Sequence, residues 1–344
     1  MRWRITLSLA GLVGMSLWAQ APPLEPDPVL LERLLQRHVS EPRAFDFAAI
    51  GDQQYGPEGE QKWPALQNSI NRAAGIEFII HVGDFKSGST LCNNETFYDR
   101  LHAFNRFEMP MIYTPGDNEW TDCHRENNGS YDPLERLYYL RRVFFPDNQS
   151  LGRRRIILSQ QSDDARYHRY RENVVWSMGN VLFATLHVVG SNNNLGRNAE
   201  NDREYEERTA ANFNWLKTVF SVARDNAFAG VVIAMQANPG WRGTAVAVAQ
   251  MATGFKDTIV VLEDEAVIYA RPILVIMGDT HVFRIDKPMI GARSGRLLEN
   301  VIRVEVPGDR DVHWVRVKVD PAKRGLFSFE HEDVVENYVQ QERP

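Results

Sequence analysis

Four apolar runs in this chain of 344 residues each end in the dipeptide Gly-Asp. The clearest is at residues 78–83, followed by Asp84, and it is typical of a buried β-strand whose last carboxylate emerges at the strand's end. The other three runs end at Asp52, Asp117 and Asp279. Ligands of open α/β sheets bind beyond the carboxyl ends of the strands. If the four strands are parallel neighbours, the four carboxylates therefore converge on one rim.

A single apolar run that ends in Gly-Asp is more typical of a strand that leaves through a turn than of a metal site. Four such runs in one chain make coincidence a poor explanation. Carboxylates crowded together repel one another, and burying them without partners costs free energy. Cations between them are the simplest remedy, so we predict a polynuclear metal site at the rim.

The composition excludes several classes of protein. The chain is 43% hydrophobic and 24% charged, which is ordinary for a globular enzyme or binding protein. Its net charge of −6 argues against a broad nucleic-acid-binding patch. No internal run of apolar residues is long enough for a retained membrane span. The sequence gives no indication of the oligomeric state.

The N-terminus has the three-part pattern of an export signal. A basic start at residues 1–4 precedes an apolar core at residues 5–18 and a small-residue cleavage pattern. An uncleaved anchor is the alternative, although the apolar core is short for a bilayer. We predict a cleaved signal peptide over residues 1–21 and a secreted or periplasmic protein. Residues 22–44 then form a linker and a short N-terminal helix.

The chain has two cysteines, Cys92 and Cys123, and they flank the strand that ends at Asp117. In an exported protein, such a pair favours a disulfide over a metal site. The bond would join the loop after Asp84 to the loop after Asp117. Two separate buried thiols are the alternative, because the sequence does not supply the geometry that a disulfide needs.

Strand and helix patterns alternate through the first half of the chain and predict a β-α-β-α-β unit. Its helices lie near residues 62–74 and 96–107, and its crossovers are expected to be right-handed. The pattern loosens over residues 120–170, which we interpret as an insertion that covers the rim and sets specificity. Within it, Asp132 is a candidate helix cap.

The second half predicts a hairpin that turns at residues 179–180, followed by further helix and strand pairs. Near the end, residues 301–306 and 312–319 alternate like antiparallel strands. No repeat and no internal linker are present. Residues 45–331 are therefore predicted to form one catalytic domain, followed by a C-terminal tail at residues 332–344.

The order of these motifs resembles that of the calcineurin-like metallophosphoesterases. That family has Asp-x-His, Gly-Asp, Gly-Asn-His-Asp/Glu, a lone His and Gly-His-x-His. The corresponding segments of this chain, from residue 45 to about residue 283, keep that order and strand context: Gly-Asp-Gln-Gln at 51–54, Gly-Asp at 83–84, Gly-Asp-Asn-Glu at 116–119, Gln236, and Gly-Asp-Thr-His at 278–281. Asp84 and His281 match the family strictly, whereas the other positions match by place alone.

The resemblance implies an α/β fold in which a two-layer β-sandwich is flanked by helices (α/β/β/α). It also implies two metal ions at the rim, bridged by Asp84 and held by seven residues: Asp52, Gln54, Asp84 and His281 around one, and Asp84, Asp117, Gln236 and Asp279 around the other. In such enzymes the ions activate a water and clamp an in-line displacement at phosphorus. The implied activity is a metal-dependent phosphoric ester hydrolase, with a small-molecule or polymer phosphomonoester or phosphodiester as substrate.

This chain departs from the family in its ligand types, because Gln54, Gln236 and Asp279 stand where the family has histidines. Imidazole suits zinc and iron, whereas carboxylate and amide oxygens suit Mg²⁺, Mn²⁺ and Ca²⁺. We therefore predict two divalent ions from the second group, rather than an iron–zinc pair.

A second departure affects the leaving group. The family's proton-donating histidine falls on Asn118, and an amide cannot deliver a proton. Glu119 and His124 are the nearest candidate acids. Glu119 is equally a candidate for orienting a ligand, and His124 for an exposed loop histidine. A degenerate family member that binds metal or ligand without turnover is therefore the alternative function.

Several further residues leave two interpretations open. Residues 191–194 either present amides to the substrate or form an Asx-rich turn. Arg197 either grips a phosphate or lies in solvent. Trp241 either lines the pocket or packs beneath it. His81 and His187 stand inside apolar strands, where a core role is more common than metal binding.

Overall fold

The structure is a computed structural model that describes residues 28–38, 40–240, 253–291 and 294–339. The predicted signal peptide, the start of the predicted linker and Trp241 lie outside these residues. The helices are α1 (Pro28–Arg37), α2 (Gly56–Arg72), α3 (Asn94–Phe104), α4 (Pro133–Phe144), α5 (Ala199–Asp225), α6 (Thr253–Tyr269) and α7 (Val335–Val339). The strands are β1 (Phe45–Ile50), β2 (Ile76–His81), β3 (Met111–Tyr113), β4 (Ser159–Gln160), β5 (Val174–Met178), β6 (Val181–Thr185), β7 (Gly230–Ala234), β8 (Ile273–Met277), β9 (Arg284–Asp286), β10 (Val301–Glu305), β11 (Trp314–Val319) and β12 (Phe327–Glu332).

Two β-sheets pack face to face. The first has the strand order β12-β11-β1-β2-β3, and the second has the order β4-β5-β6-β7-β8-β10-β9. Aromatic rings fill the space between them: Phe47 stacks on Phe78 at 5.0 Å and meets the edge of Phe183 at 5.5 Å. Helices α2, α3 and α4 cover the outer face of the first sheet, and α1, α5 and α6 cover that of the second. This layering confirms the predicted α/β/β/α sandwich.

The four Gly-Asp strands are not all neighbours in one sheet. Strands β1, β2 and β3 are parallel neighbours in the first sheet, as predicted, whereas β8 belongs to the second sheet. The prediction that residues 301–306 form an antiparallel strand is right for only one neighbour. Strand β10 runs antiparallel to β9 but parallel to β8. Alternation along a strand reports which face is buried, and it does not report the direction of the neighbour.

The predicted helices of the first half are present, but they begin earlier than the apolar periodicity shows. Helix α2 begins at Gly56 with a proline in its first turn, where the missing N–H does no harm. Helix α3 follows Asn93, whose side chain accepts the N–H of Thr96 at 2.9 Å. The predicted cap Asp132 accepts the N–H of Leu134 at 2.9 Å, which confirms it as the start of α4.

The predicted disulfide between Cys92 and Cys123 is confirmed, with the two Cα atoms 5.7 Å apart. It joins the loop after Asp84 to the turn after Asp117. Both sulfurs lie 3.7 Å from the backbone oxygen of Asn118. The bond therefore braces two of the segments that carry rim residues.

None of the helices within the described ranges is long and apolar enough to cross a membrane.

Removing this disulfide should cost about 3.5 kcal/mol of unfolding free energy, because it closes a loop with a sequence separation of 31 residues. Urea denaturation with and without reductant measures the loss. The double variant Cys92→Ala/Cys123→Ala is the control, since its stability should not respond to reductant. An equal stability of the oxidised and reduced wild type would contradict a structural role for the bond.

His81 and His187 are confirmed as core residues, since neither has an exposed side chain. The Nδ1 atom of His81 accepts the N–H of Gly83 at 3.1 Å, and burial lowers the pKa of His81 to about 3. The Nδ1 atom of His187 lies 2.7 Å from the carboxylate of the buried Glu172. Both histidines thus serve the core, and burial lowers the pKa of His187 to about 4.

Acid should destabilise the fold through His81. Its pKa is lower in the folded chain than in the unfolded chain, so below about pH 6.5 the unfolded chain binds the extra proton. Its share of the unfolding free energy should fall by about 2 kcal/mol between pH 7 and pH 5. The variant His81→Phe should reduce the slope of stability against pH relative to the wild type. A slope equal to that of the wild type would rule His81 out.

Candidate functional site

The four Gly-Asp aspartates meet at one rim, where the ends of β1, β2 and β3 face the end of β8. The carboxylate of Asp52 accepts the backbone N–H of Asp279, with 3.1 Å to each oxygen. The backbone N–H of Asp52 donates to the carbonyl of Gly83 at 3.0 Å, which sets Asp84 beside it. Burial raises the pKa values of Asp52 and Asp84, and repulsion from Asp117 adds to both shifts. Residues that are far apart in the sequence thus converge as predicted.

The glycines of the Gly-Asp pairs make room for carboxylates from other strands. A Cβ atom on Gly278 would overlap the carboxylate of Asp52, and one on Gly116 would overlap that of Asp84. Each of these glycines therefore accommodates the aspartate of a different pair. The repeated dipeptide is thus a packing requirement of the rim as well as a source of charge.

The backbone at the rim has an uncommon conformation. Non-glycine residues rarely adopt a positive φ, and such strain clusters at functional sites. Five of the seven predicted metal ligands have one: Asp52 (52°), Gln54 (65°), Asp84 (54°), Asp279 (82°) and His281 (61°). The chain after these strands therefore turns sharply through left-handed conformations at predicted metal ligands.

Asp84 occupies the centre of the rim. Its Oδ1 atom accepts the backbone N–H of Asn118 at 3.1 Å, and its Oδ2 atom accepts the Asn118 side-chain amide at 2.9 Å. The same Oδ2 atom also accepts the Gln236 amide and the Tyr55 hydroxyl, both at 3.2 Å. Groups from several separate segments thus converge on one carboxylate, which is the position predicted for the bridging ligand.

Asp117 contacts the segment at residues 190–194. Its Oδ2 atom accepts the hydroxyl of Ser191 at 2.7 Å, and that hydroxyl also lies 2.8 Å from the carboxylate of Asp122. Residues 191–194 all have a positive φ, between 49° and 69°. Gly190 is held by its N–H, which donates to the side-chain oxygen of Gln236 at 2.6 Å. We call residues 190–194 the left-handed turn.

Glu119 lies beneath the rim and is fully buried. Its Oε1 atom accepts the backbone N–H groups of Asp84 at 3.0 Å and Gly116 at 2.6 Å, and the Tyr113 hydroxyl at 2.7 Å. These contacts are those of a carboxylate that orients its neighbours. They support the alternative role for Glu119, and its role as an acid stays a prediction.

The other three predicted residues lie in different surroundings. His124 is exposed, and its ring donates to the Thr121 carbonyl at 2.9 Å. His281 has its Nε2 atom 3.9 Å from Asp52 Oδ1. Gln54 is buried and lines a cavity of about 540 Å³ with Arg100. The side-chain oxygen of Gln54 has no hydrogen-bond partner in the described part of the chain.

The rim carries more negative than positive groups. Burial, together with repulsion among the carboxylates, raises the pKa values of Asp52 and Asp84 well above their usual range. The same two causes raise the pKa of Asp117 to about 7. The carboxylates of this region, among the described residues, include Asp52, Asp84, Asp117, Glu119, Asp122, Asp279 and Glu305.

Within the described ranges, Lys86, Arg125 and Arg197 lie close to these carboxylates. Lys86 is buried, and burial lowers its pKa to about 8 although the neighbouring carboxylates oppose the shift. Arg125 contacts Asp122 at 2.7 Å, and Arg197 lies 3.9 Å from the same carboxylate. In the described part of the chain, these cations are fewer than the carboxylates around them. The raised pKa values favour protonated carboxylates when no cation is bound, and a divalent ion at the rim would favour their charged forms.

The donor chemistry of the rim fits a hard divalent ion, although the geometry is not that of a ready-made site. Within the described ranges, no three His, Cys, Asp or Glu side chains are grouped so that they could hold a metal ion. The carboxylates face N–H, amide and hydroxyl donors of the chain itself, and two predicted ligands are amides. The side-chain oxygens Gln54 Oε1 and Glu119 Oε2 are nevertheless buried without partners among these residues. Such an oxygen-rich, anionic set suits Mg²⁺, Mn²⁺ or Ca²⁺.

Residues 45–283 match the family model described as calcineurin-like phosphoesterase, which covers more than half of the chain. The chain belongs to the calcineurin-like phosphoesterase family. This confirms the resemblance found in the motifs. A comparison with curated proteins gave no match for this calcineurin-like phosphoesterase.

Several solved structures are similar to it. A structure described as PhoD has 12% sequence identity and a TM-score of 0.53, over 83% of this chain and 65% of the PhoD chain. A 5'-nucleotidase from Candida albicans SC5314 has 11% identity and a TM-score of 0.44, over 89% of this chain and 54% of its own. GAP50, the anchor in the inner membrane complex of Plasmodium, has 10% identity and a TM-score of 0.46, over 86% of this chain and 94% of its own. The likeness to PhoD supports the fold alone.

Three rim residues of this calcineurin-like phosphoesterase carry little signal in the sequence. Lys86 stands two residues after Asp84, and a basic residue so close to the central motif is the one hint of its position. Asp122 precedes a disulfide cysteine and resembles any loop aspartate. Tyr55 reaches the rim through a sharp backbone turn, which residue types do not reveal.

Proposed function

We propose that this chain is an exported, metal-dependent phosphoesterase that hydrolyses phosphomonoesters or phosphodiesters. The observation that carries the proposal is the convergence of four aspartates, distant in sequence, on a rim where carboxylates outnumber cations among the described residues. Family membership favours a phosphoester as substrate. The disulfide and the predicted signal peptide favour export.

Two divalent ions of the Mg²⁺, Mn²⁺ or Ca²⁺ type would, when bound, activate water and neutralise charge at phosphorus. The residues that would hold them are the seven predicted from the motif positions, with Asp84 shared: Asp52, Gln54, Asp84, Asp117, Gln236, Asp279 and His281. Glu119 would keep Asp84 in place by accepting its backbone N–H.

Two arginines are suited to holding the phosphate. Asp122 anchors Arg125 at 2.7 Å and lies 3.9 Å from Arg197, which also donates to the side chain of Asn194 at 3.0 Å. A Cβ atom on Gly88 would lie 3.1 Å from Asn118 Oδ1 and 3.4 Å from Arg125 Nη1, so Arg125 reaches the neighbourhood of Asp84. A guanidinium fits phosphate oxygens in bidentate fashion. We propose that both bind the nonbridging oxygens of the phosphate.

Tyr55 is a candidate for assisting the leaving group in place of the missing histidine. Its hydroxyl lies 3.2 Å from Asp84 Oδ2 and accepts from the Asn118 amide at 3.0 Å. Burial and the surrounding carboxylates raise the pKa of Tyr55 well above its usual value. Tyr55 therefore keeps its proton and can donate a hydrogen bond to the leaving-group oxygen, which helps most where the leaving group is poor.

The variant Tyr55→Phe should lower kcat about tenfold on an alkyl phosphoester, the cost of one lost hydrogen bond in the transition state. The effect should be smaller on a nitrophenyl ester, whose leaving group needs less help. Tyr98→Phe, at an exposed site, is the control and should keep full activity. Unchanged rates for Tyr55→Phe on both esters would contradict the role of the hydroxyl.

The activity is tested on protein that has been stripped with a chelator and reloaded with Mn²⁺ or Mg²⁺. We expect hydrolysis of a phosphodiester with a nitrophenyl leaving group after reloading, and none before it. A reloaded protein that binds the ion without turnover would overturn the proposal. That result would support the alternative, a binding protein without catalysis, which Asn118 at the acid position favours.

A further inference from the structure

A second cavity, of about 610 Å³, is lined by helix α4 and by the segment at residues 168–171. One tyrosine, one histidine and four arginines line it: Tyr138, Arg141, Arg142, His168, Arg169 and Arg171. None of these lining residues is acidic, and none belongs to the rim. The chain as a whole has a net charge of −6, so a concave wall with four arginines is a local reversal of charge. Its volume is that of a small-molecule site.

Two of the four arginines are committed to acidic partners. Arg141 donates to the fully buried Glu172 through Nε at 3.0 Å and through Nη2 at 2.5 Å, so its guanidinium is fixed as part of the cavity wall. Arg169 contacts Glu207 at 3.3 Å, but both side chains are exposed and such a pair holds weakly.

The charges of the other two arginines are not neutralised by a carboxylate in the described part of the chain. Neither Arg142 nor Arg171 has a carboxylate within 4.0 Å among the described residues. Arg142 stacks over the ring of Tyr138 at 5.7 Å, a contact that orients its guanidinium but leaves its five N–H donors available. Cations gathered on one wall repel one another, and a bound anion relieves that repulsion.

We propose that this cavity, which we call the arginine cavity, binds a ligand with two or more adjacent phosphate groups. Guanidinium forks match phosphate oxygens, and Arg142 and Arg171 can each engage a different phosphate group of one ligand. A single phosphate would fill little of a cavity of about 610 Å³. The proposal does not depend on the phosphoesterase activity, because no residue of the arginine cavity belongs to the rim.

Calorimetric titration with inorganic tripolyphosphate, in a chelator that keeps metal ions from the rim, tests the proposal. We expect the wild type to bind tripolyphosphate at least about tenfold more tightly than inorganic phosphate. The variant Arg142→Gln/Arg171→Gln should lose about tenfold in affinity, and Arg142→Lys/Arg171→Lys should lose less because it keeps the charge. Arg154→Gln/Arg155→Gln removes the same charge from exposed positions of the same insertion, and it should bind like the wild type.

Several results would overturn the proposal. One is that the wild type does not bind tripolyphosphate. Another is an equal loss of affinity in Arg142→Gln/Arg171→Gln and in Arg154→Gln/Arg155→Gln, which would mean diffuse electrostatic attraction. Loss of binding in Asp84→Asn would place the ligand at the rim instead. Citrate bound as tightly as tripolyphosphate would contradict a preference for phosphate. Thermal unfolding of each variant shows whether a lost affinity reflects a lost fold.

Discussion

Replacing Asp84 by asparagine should lower kcat/KM by at least about a thousandfold, which corresponds to about 4 kcal/mol of transition-state stabilisation. The two side chains have the same shape, so the change removes charge and leaves volume alone. Asp84 accepts hydrogen bonds from Asn118, Gln236 and Tyr55, which makes it the point where the rim segments join. Steady-state kinetics on a nitrophenyl phosphodiester measures the loss.

Asp279→Asn is the matched comparison, because it makes the same chemical change at the edge of the rim. Asp279 accepts the backbone N–H of Asn238 at 3.0 Å, and we assign it to a single metal ion. The substitution Asp279→Asn should lower kcat/KM about 10-fold to 100-fold. It should also reduce the amount of bound metal less than Asp84→Asn does. Small and equal effects of the two variants would contradict the central role of Asp84. Thermal unfolding confirms that both variants fold.

Replacing Arg208 by methionine should cost about 3–5 kcal/mol of unfolding free energy, because it breaks a buried charged network. Arg208 is fully buried on α5. Its guanidinium donates to Glu204 at 2.7 Å, to the His187 carbonyl at 2.9 Å, and to the Asn193 side chain at 2.6 Å. It also lies 5.4 Å from the ring of Trp120. Methionine fills similar volume but leaves these acceptors unpaired.

The same substitution should reduce activity, because Arg208 holds the left-handed turn through Asn193. Loss of that anchor frees Ser191, which contacts Asp117 at the rim. Arg203→Met is the control, since Arg203 lies exposed on the same helix. Urea denaturation and kcat/KM should both change for Arg208→Met and for neither in the control. A stable, fully active Arg208→Met would show that the network does not support the rim.

Much of the rim can be predicted because short sequence motifs identify its carboxylates. Each Gly-Asp pair places a carboxylate at the end of a strand, and parallel strands bring such ends together. The structure adds the reason for the glycines, since Gly278 and Gly116 make room for Asp52 and Asp84. The Gly-Asp pairs therefore supply both the charge of the rim and the space that its packing needs, although only the charge is evident from the residue types.

The features that could not be predicted depend on contacts between segments that are distant in the sequence. The assignment of β8 to the second sheet needs the pairing partners, and strand alternation is silent on these. The contacts of Glu119 depend on where the N–H groups of Asp84 and Gly116 point. Tyr55 reaches Asp84 because the intervening backbone turns sharply at positive φ, which no residue type requires.

Equilibrium binding of Mn²⁺ to the chelator-stripped protein tests most directly whether divalent ions hold the aspartate rim together. We expect about two ions per chain for the wild type, and fewer and weaker ions for Asp84→Asn. Saturation of the wild type should also raise its thermal stability, since the ions offset repulsion among the carboxylates. A wild type that binds no Mn²⁺, Mg²⁺ or Ca²⁺, or that binds them no better than Asp84→Asn does, would contradict the metal-dependent rim.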